Sequence, residues 1–291
     1  VRSDQAQTAD SFGFKWQQTE TWDSQAMQRR AALWLVERYG FGDVDAMHAW
    51  FAKRRRILDA GCGSGFSAAI LLGDTPAEYV GADISVAVHV AKKRFAGLPH
   101  TRFVQADMMM LPFAPASFDT VIAEGTLHHT PSTENALASV AAMLEPGGEI
   151  LFYVYRVKAP AREFTDDHVR QVISSLPPEQ AWAALRPLTA LGRELAALHA
   201  TITLDADIPY LGVRAGTYDV QRFLYNAFCK MFWDESLSFE ENNHVNFDWF
   251  HPRYAHRQTE DEVSAWCERL GLRIIHRNIQ DSGITIRALR N

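Results

Sequence analysis

From residue 56 onward, short apolar runs alternate with amphipathic stretches. RILDA (56–60), EYVGAD (78–83), TRFVQAD (101–107), FDTVIAE (118–124) and EILFYVYR (149–156) read as strands. GFSAAILLG, SVAVHVAKKRF and STENALASVAAML between them read as helices, the last with Leu137, Val140, Ala141 and Leu144 on one face. Strands that are apolar at consecutive positions are buried on both faces, so the alternation predicts a mostly parallel sheet covered by helices on each side. Near the C-terminus, Thr259 and Glu262 have capping-box spacing, and Val263, Trp266, Cys267 and Leu270 line one helix face ended by Gly271. LRIIHRNI and ITIRALR then flank QDSG, which predicts an antiparallel strand pair.

Two stretches break this order. Residues 1–23 are polar with Phe12, Phe14, Trp16 and Trp22 interspersed, followed by a helix, SQAMQRRAALWLVERYG, ended by Gly40. Residues 157–251 are rich in helical pattern and aromatics. TDDHVRQVI has a Thr165 cap, which puts Asp166 and Asp167 in a first turn, and PPEQAWAAL begins with prolines suited to one. RPLTALGRELAALHA and TYDVQRFLYNAFCKMFW also read as helices. An insertion of about 95 residues is too long for a plain loop and needs its own packing. The expected organisation is an N-terminal lid and helix (1–50), a core (51–156 and 252–291) and a helical cap inserted between its halves (157–251).

Composition narrows the functional classes. Hydrophobic residues are 47% and charged residues 22% of the 291, as in ordinary globular proteins. A net charge of −6 without a long one-sign block argues against a general electrostatic grip on nucleic acid. Lys53–Arg56 form one basic cluster, read as a solvated strand entry. Cys62, Cys229 and Cys267 are scattered and odd in number, which argues against a disulfide framework or structural zinc and suits a reducing cytoplasm. No apolar run reaches membrane-span length and no signal-peptide pattern opens the chain. A cytoplasmic monomer or homodimer with a small-molecule substrate is the expectation.

ILDAGCGSG (57–65) follows an apolar strand and opens a helix, so Gly61, Gly63 and Gly65 let the backbone turn sharply and approach a ligand. Some twenty residues on, VGADIS ends a strand with Asp83, where an acid accepts hydrogen bonds from ribose hydroxyls. The pair points to an adenosine-containing ligand. The spacing is G-x-G-x-G rather than the dinucleotide G-x-G-x-x-G, and Asp59 precedes it. An acid beside the loop disfavours a pyrophosphate and favours an ammonium group, as on an amino-acid-bearing ligand.

On ILDAGCGSG, VGADIS, VQADMMMLPF, FDTVIAEGTLHHT, LEPGGEILF and the terminal strand pair, in that order, the chain resembles the class I S-adenosylmethionine-dependent methyltransferases. It is most similar to the small-molecule branch that includes quinone and natural-product enzymes. The resemblance covers residues 56–156 and about 252–291. It implies an α/β, Rossmann-like, seven-stranded, mostly parallel sheet of order 3-2-1-4-5-7-6, with strand 7 antiparallel and a helical cap insertion. It implies S-adenosyl-L-methionine as cofactor and S-adenosyl-L-homocysteine as product. Carried over, it places Gly61, Cys62, Gly63 and Gly65 along the methionine and ribose portion, Asp59 at the amino group and Asp83 at the ribose hydroxyls. Ile84 packs on adenine. Ala106, Asp107 and Met108 lie at the adenine edge, with Asp107 accepting from the exocyclic amine. Glu124 and Gly125 lie under the methionine portion. Phe14 and Trp16 form a lid over the cofactor.

His128 and His129 close the fourth strand near the transferable methyl in this resemblance, and are candidates for a base or orienting group; capping and packing before the next helix is the competing reading. Adjacent histidines diverge in direction and no third ligand lies at helical spacing, so no metal is expected. Arg156, Lys158 and Arg162 after the fifth strand are candidates for holding a carboxylate or phosphate, and His244 and Tyr254, in an aromatic-rich stretch, for lining a substrate pocket. The reaction expected is in-line displacement at a sulfonium. The alternatives are an NAD(P)-dependent oxidoreductase, disfavoured by the glycine spacing, and a cofactor-binding partner protein without methyltransferase activity.

Overall fold

The computed structural model describes residues 3–291. In chain order the elements are α1 (Ala6–Gln17), α2 (Gln25–Tyr39), α3 (Val44–Phe51), β1 (Arg56–Ala60), α4 (Phe66–Leu72), β2 (Glu78–Asp83), α5 (Val88–Arg94), β3 (Thr101–Gln105), β4 (Phe118–Glu124), α6 (Thr133–Ala141), β5 (Leu144–Tyr155), α7 (Pro160–Ile173), α8 (Pro178–Ala197), β6 (Thr201–Leu204), β7 (Gly216–Asp219), α9 (Val220–Ala227), α10 (Phe239–Phe250), α11 (Glu260–Arg269), β8 (Leu272–Ile279) and β9 (Gly283–Arg290). They fall into two compact units: the chain up to Thr19 with Asp23–Arg156 and Tyr254–Asn291, and Glu20–Trp22 with Val157–Arg253.

The first unit is built on a seven-stranded sheet of order β3-β2-β1-β4-β5-β9-β8. β3 to β5 run parallel, and β9 joins β5 and β8 antiparallel. With β8 and β9 as the sixth and seventh strands, this is the order and sense the resemblance implies. Two apolar layers explain why both faces of the strands are hydrophobic. Leu58, Val121, Phe152 and Ile286 pack with Leu137 and Val140 of α6 and Val263 and Cys267 of α11. Ile57, Ile122 and Leu151, pointing the other way, pack with Leu35 and Tyr39 of α2, Met47 and Phe51 of α3, and Leu71 of α4.

Local signals set several boundaries. Ser24 caps α2, and Gly40 ends it in the left-handed conformation. Thr259 and Glu262 form a reciprocal capping box on α11. Residues 6–17 form a helix whose buried positions are Thr8, Ser11, Gly13 and Lys15, so no apolar stripe announces it.

The second unit is mainly helical, and it also carries the two-stranded antiparallel sheet β6–β7. The prolines of PPEQAWAAL do start a helix, but it runs unbroken to Ala197. TYDVQRFLYNAFCKMFW is helical only over Val220–Ala227, after a strand that ends at Asp219, the cap of α9. α7 starts five residues before Thr165, at Pro160, because a proline suits the first turn. Thr165 therefore lies inside the helix and bonds back to the Ala161 carbonyl, and Asp166 is buried rather than a first-turn acid.

Candidate cofactor site

The glycine loop connects β1 to α4. Gly61, Gly63 and Gly65 all have positive φ, at +87°, +51° and +72°. At Gly63 a Cβ would also come within 2.6 Å of Trp16 Nε1, and at Gly61 it would run into the Thr126 side chain. Only glycine allows both the turn and these approaches. Gly61 and Cys62 donate their N–H groups to the Ala82 carbonyl on β2, which ties the loop to the neighbouring strand end. The Cys62 side chain is buried in the space over Gly81, and that burial pushes its thiol well above the ordinary range.

Asp83 ends β2 beside this loop. Its Oδ2 accepts the Gly63 N–H at 2.8 Å, and its Oδ1 accepts the Ser85 N–H at 2.8 Å and the Ser85 hydroxyl at 2.6 Å. A carboxylate offers about four acceptor positions, so Oδ2 keeps one for a ribose hydroxyl. Holding both hydroxyls requires the Ser85 hydroxyl to turn away. Burial raises the Asp83 carboxyl above its usual range, against the lowering effects of the Ser85 and Gly63 bonds and of the Lys15 charge.

Asp59, on β1, is buried and accepts the Tyr79 hydroxyl at 2.7 Å through Oδ2. Burial pushes its carboxyl up to about 7; the Tyr79 bond opposes this, while Asp83 and Glu124 add to it. A cationic group beside Asp59 would relieve that penalty.

The adenine-side residues follow β2 and β3. Ile84 is half-buried, and its carbonyl accepts from Gln105 at 3.0 Å. Ala106 N–H donates to the Asp83 carbonyl at 2.8 Å, bringing the two strand ends together. Asp107 caps the short turn of Met108–Met110 through the Met109 N–H at 2.9 Å, and its other oxygen accepts from Gln5 at 2.7 Å. Met108 is held by its carbonyl to Ser139 at 2.7 Å.

Glu124 at the end of β4 is held from α2. Arg38 donates to it at 2.7 Å, and the Tyr39 hydroxyl donates to its second oxygen. Arg38 is fully buried, with its guanidinium 3.4 Å from the centre of the Tyr153 ring. Gly125 follows, and a Cβ there would meet nothing closer than Tyr153 at 3.9 Å, so the backbone is open on that side.

α1 covers the site with a polar face. Besides Trp16 on Gly63 and Gln5 on Asp107, the buried Lys15 places its ammonium 3.9 Å from the Trp16 ring centre. Phe12 meets His129 edge-on at 5.0 Å. The Thr8 and Ser64 hydroxyls are buried without a hydrogen-bond partner among the described residues, a costly state that a polar ligand would relieve. The glycine loop, acids at 59 and 83, and these orphaned hydroxyls fit a ligand with amino-acid and ribose portions. Lys15, Gln5, Ser85, Tyr79 and Thr126 were not singled out by sequence. Lys15 sits between the two aromatics of FKW, the one local sign that this lysine is not a solvated charge.

The histidines lie in a single turn after β4. His128 is fully buried, with its ring 3.7 Å from that of Tyr155 and inclined at 33°. His129 Nδ1 is 2.6 Å from the Tyr254 carbonyl. A carbonyl only accepts, so Nδ1 carries the proton and Nε2 is the acceptor atom of the neutral ring. Arg156 pairs with Glu260 at 3.3 Å, and the Tyr254 ring stacks on His256. Lys158 and His244 belong to the second unit. The Lys158 ammonium lies 5.6 Å from the centre of the Trp249 ring, and His244 Nδ1 is 2.9 Å from the Thr21 hydroxyl. Among the described residues no group of three or more His, Cys, Asp or Glu comes together to hold a metal, and no helix is long and apolar enough to cross a membrane.

Residues 58–152 match the family model described as a methyltransferase domain. An O-methyltransferase of Penicillium expansum is 41% identical over 106 residues, 34% of this chain and 38% of that protein. A phthiotriol/phenolphthiotriol dimycocerosates methyltransferase of Mycobacterium ulcerans is 34% identical over 114 residues, 39% of this chain and 42% of its own. The chain thus spans under half the length of these relatives. Two solved structures share the fold at 14% identity and a TM-score of 0.51. One is 1,6-didemethyltoxoflavin-N1-methyltransferase of Burkholderia thailandensis with bound 1,6-didemethyltoxoflavin and S-adenosylhomocysteine, matched over 98% of this chain and 88% of that one. The other is magnesium protoporphyrin IX methyltransferase of Synechocystis with bound S-adenosylmethionine, matched over 100% and 99%. The methyltransferase domain over residues 58–152, the sheet order and the loop that Asp83 braces bear out the resemblance to the class I S-adenosylmethionine-dependent methyltransferases.

Proposed function

We propose that this protein transfers a methyl group from S-adenosylmethionine to a small-molecule nucleophile by in-line displacement. The observation that carries the reading is the loop and acid of β1 and β2, closed by the polar face of α1. Bound S-adenosylmethionine supplies a methyl already activated on a sulfonium, so the protein's task is alignment and exclusion of water. Asp83 takes a ribose hydroxyl and Asp59 faces the amino group. Ile84, Ala106 and Met108 border the adenine, with Asp107 toward its amine. Cys62, Gly65, Glu124 and Gly125 shape the floor under the methionine portion, and Trp16 closes it.

His129 takes the role of base. Its Nδ1–H is fixed on the Tyr254 carbonyl, which directs the basic lone pair to Nε2. His128, tilted against the Tyr155 ring, orients its neighbour. Arg156 and Tyr254, both in the first unit, border the substrate. The acidic net charge favours a small molecule over nucleic acid, and the protein works in the cytoplasm as a monomer or homodimer.

The test is incubation with S-adenosylmethionine carrying a deuterated methyl and a panel of phenols, amines, enols and carboxylic acids, with products read by mass. A labelled methyl on an acceptor, lost in His129→Ala when the acceptor is a phenol or alcohol, supports the reading. Tight cofactor binding with no transfer to any acceptor class would instead favour a cofactor-binding partner protein.

A further inference from the structure

The second unit contains a cluster of cations that the cofactor chemistry does not use. Lys158, Arg162, Arg170 and Lys230 all place their charged groups 4.7–5.6 Å from the centre of the Trp249 ring. Arg162, Arg170, Lys230 and Trp249 are all buried. Two of the charges are answered. Asp166 accepts from Arg162 Nε at 3.1 Å, from the Trp249 indole at 2.8 Å and from the Lys230 backbone N–H at 2.8 Å. Arg170 pairs with Asp167 at 2.7 Å.

Lys230 is different. It is 6% exposed, yet its ammonium makes no hydrogen bond or ion pair among the described residues. Most of the side chain is buried while the ammonium itself keeps contact with solvent, so an anion can reach it. The Arg162 guanidinium, 5.3 Å from the Trp249 ring centre, is also 4.5 Å from that of Tyr225, and the Arg222 guanidinium is 5.5 Å from the same Tyr225 ring. Burial would raise the Tyr225 hydroxyl, but Lys230, Arg162 and Arg222 outweigh it and hold the group below its ordinary value. The field at this point is therefore positive. Burial likewise lowers Lys230, with Tyr225, Asp248 and Asp166 opposing and Arg162 adding to the shift. Arg222 is exposed and Tyr225 half-buried, so the cluster is open to solvent on that side.

We infer that Lys230, Tyr225 and Arg222 form a binding site for an organic carboxylate, held beside the rings of Tyr225 and Phe232. With Arg162 and Arg170 already paired and Asp248 acting on Lys230, the excess positive charge of Lys230 and the exposed Arg222 is small and suits a monoanion better than a dianionic phosphate. Tyr225 meets Phe232 edge-on at 6.3 Å, and Arg222 also lies over Phe232 at 5.8 Å, so an aromatic acid has faces to rest on. Assignment of this carboxylate to the methyl acceptor rests on the methyltransferase reading; the anion site itself does not.

The probes are benzoate, its neutral analogue benzamide, and inorganic phosphate, each titrated calorimetrically into the whole protein, with S-adenosylhomocysteine titrated in parallel. Benzoate should bind saturably, on the order of 1 mM, with benzamide and phosphate weaker. Lys230→Met should weaken benzoate about tenfold or more and leave S-adenosylhomocysteine binding unchanged, which also shows that the variant is folded. Tyr225→Phe is the second variant, with a smaller loss expected. Wild-type protein that binds S-adenosylhomocysteine but not benzoate, benzoate binding unchanged in both variants, or phosphate binding tighter than benzoate would each overturn the assignment. Failure of S-adenosylhomocysteine to bind would count against the cofactor reading and leave the benzoate result to decide this one.

Discussion

At the scale of residues, the site is marked by carboxylates held in costly surroundings. Asp59 is the clearest, with a carboxyl pushed up to about 7 from an ordinary 3.8, mainly by burial. Below about pH 4 it is protonated in folded and unfolded chains alike and costs nothing. As pH rises from about 4 to about 7 the unfolded chain releases this proton while the folded chain keeps it, so stability falls through that window and is level above it. Asn at this position keeps an acceptor for the Tyr79 hydroxyl without the charge. Asp59→Asn should therefore gain on the wild type as pH rises from 4.5 to 8, by at most about 4 kcal/mol. Urea unfolding of both proteins across that range checks it, and a constant difference would mean that Asp59 is not the titrating group. Asp59, Asp83 and the loop glycines were legible in the sequence because their requirements are local: a turn that excludes side chains, and acids at two strand ends. Lys15 and Gln5 were not, because they reach the site from a distant segment and read there as solvated polar residues.

Among the elements, α1 has an unusual balance. Its buried positions are polar or small, and the Thr8 hydroxyl has no partner among the described residues. Little apolar burial holds such a helix, so its docking should depend on the ligand beneath it. Addition of S-adenosylhomocysteine should slow amide hydrogen exchange across residues 6–17 at least tenfold, while α6, packed by Leu137 and Val140, changes little. Equal protection with and without ligand would show that α1 is docked by its own contacts. The same balance explains why the helix escaped the hydrophobic pattern, whereas α11, with an apolar face and a capping box, did not. The start of α7 was misplaced because Thr165 offered a plausible cap, but Pro160 supplies an earlier first turn and Asp166 is drawn inside by Arg162, Trp249 and Lys230.

For the whole molecule, the sheet order was legible once the family resemblance was recognised, because two-faced apolar strands and a terminal hairpin admit few arrangements. The second unit was legible as a largely helical body but not in its parts. β6 and β7 are four residues each, too short to stand out, and Trp249, the ring around which the buried cations gather, lies far from Arg162 and Arg170 in sequence. The central claim is that the first unit binds S-adenosylmethionine through the glycine loop and Asp83. The most direct measurement is calorimetric titration of the wild type and Asp83→Ala with S-adenosylhomocysteine, with NADH as the competing ligand. The account predicts micromolar binding of S-adenosylhomocysteine, at least tenfold weaker in the variant, and no binding of NADH. Binding of NADH with no response to S-adenosylhomocysteine would contradict it.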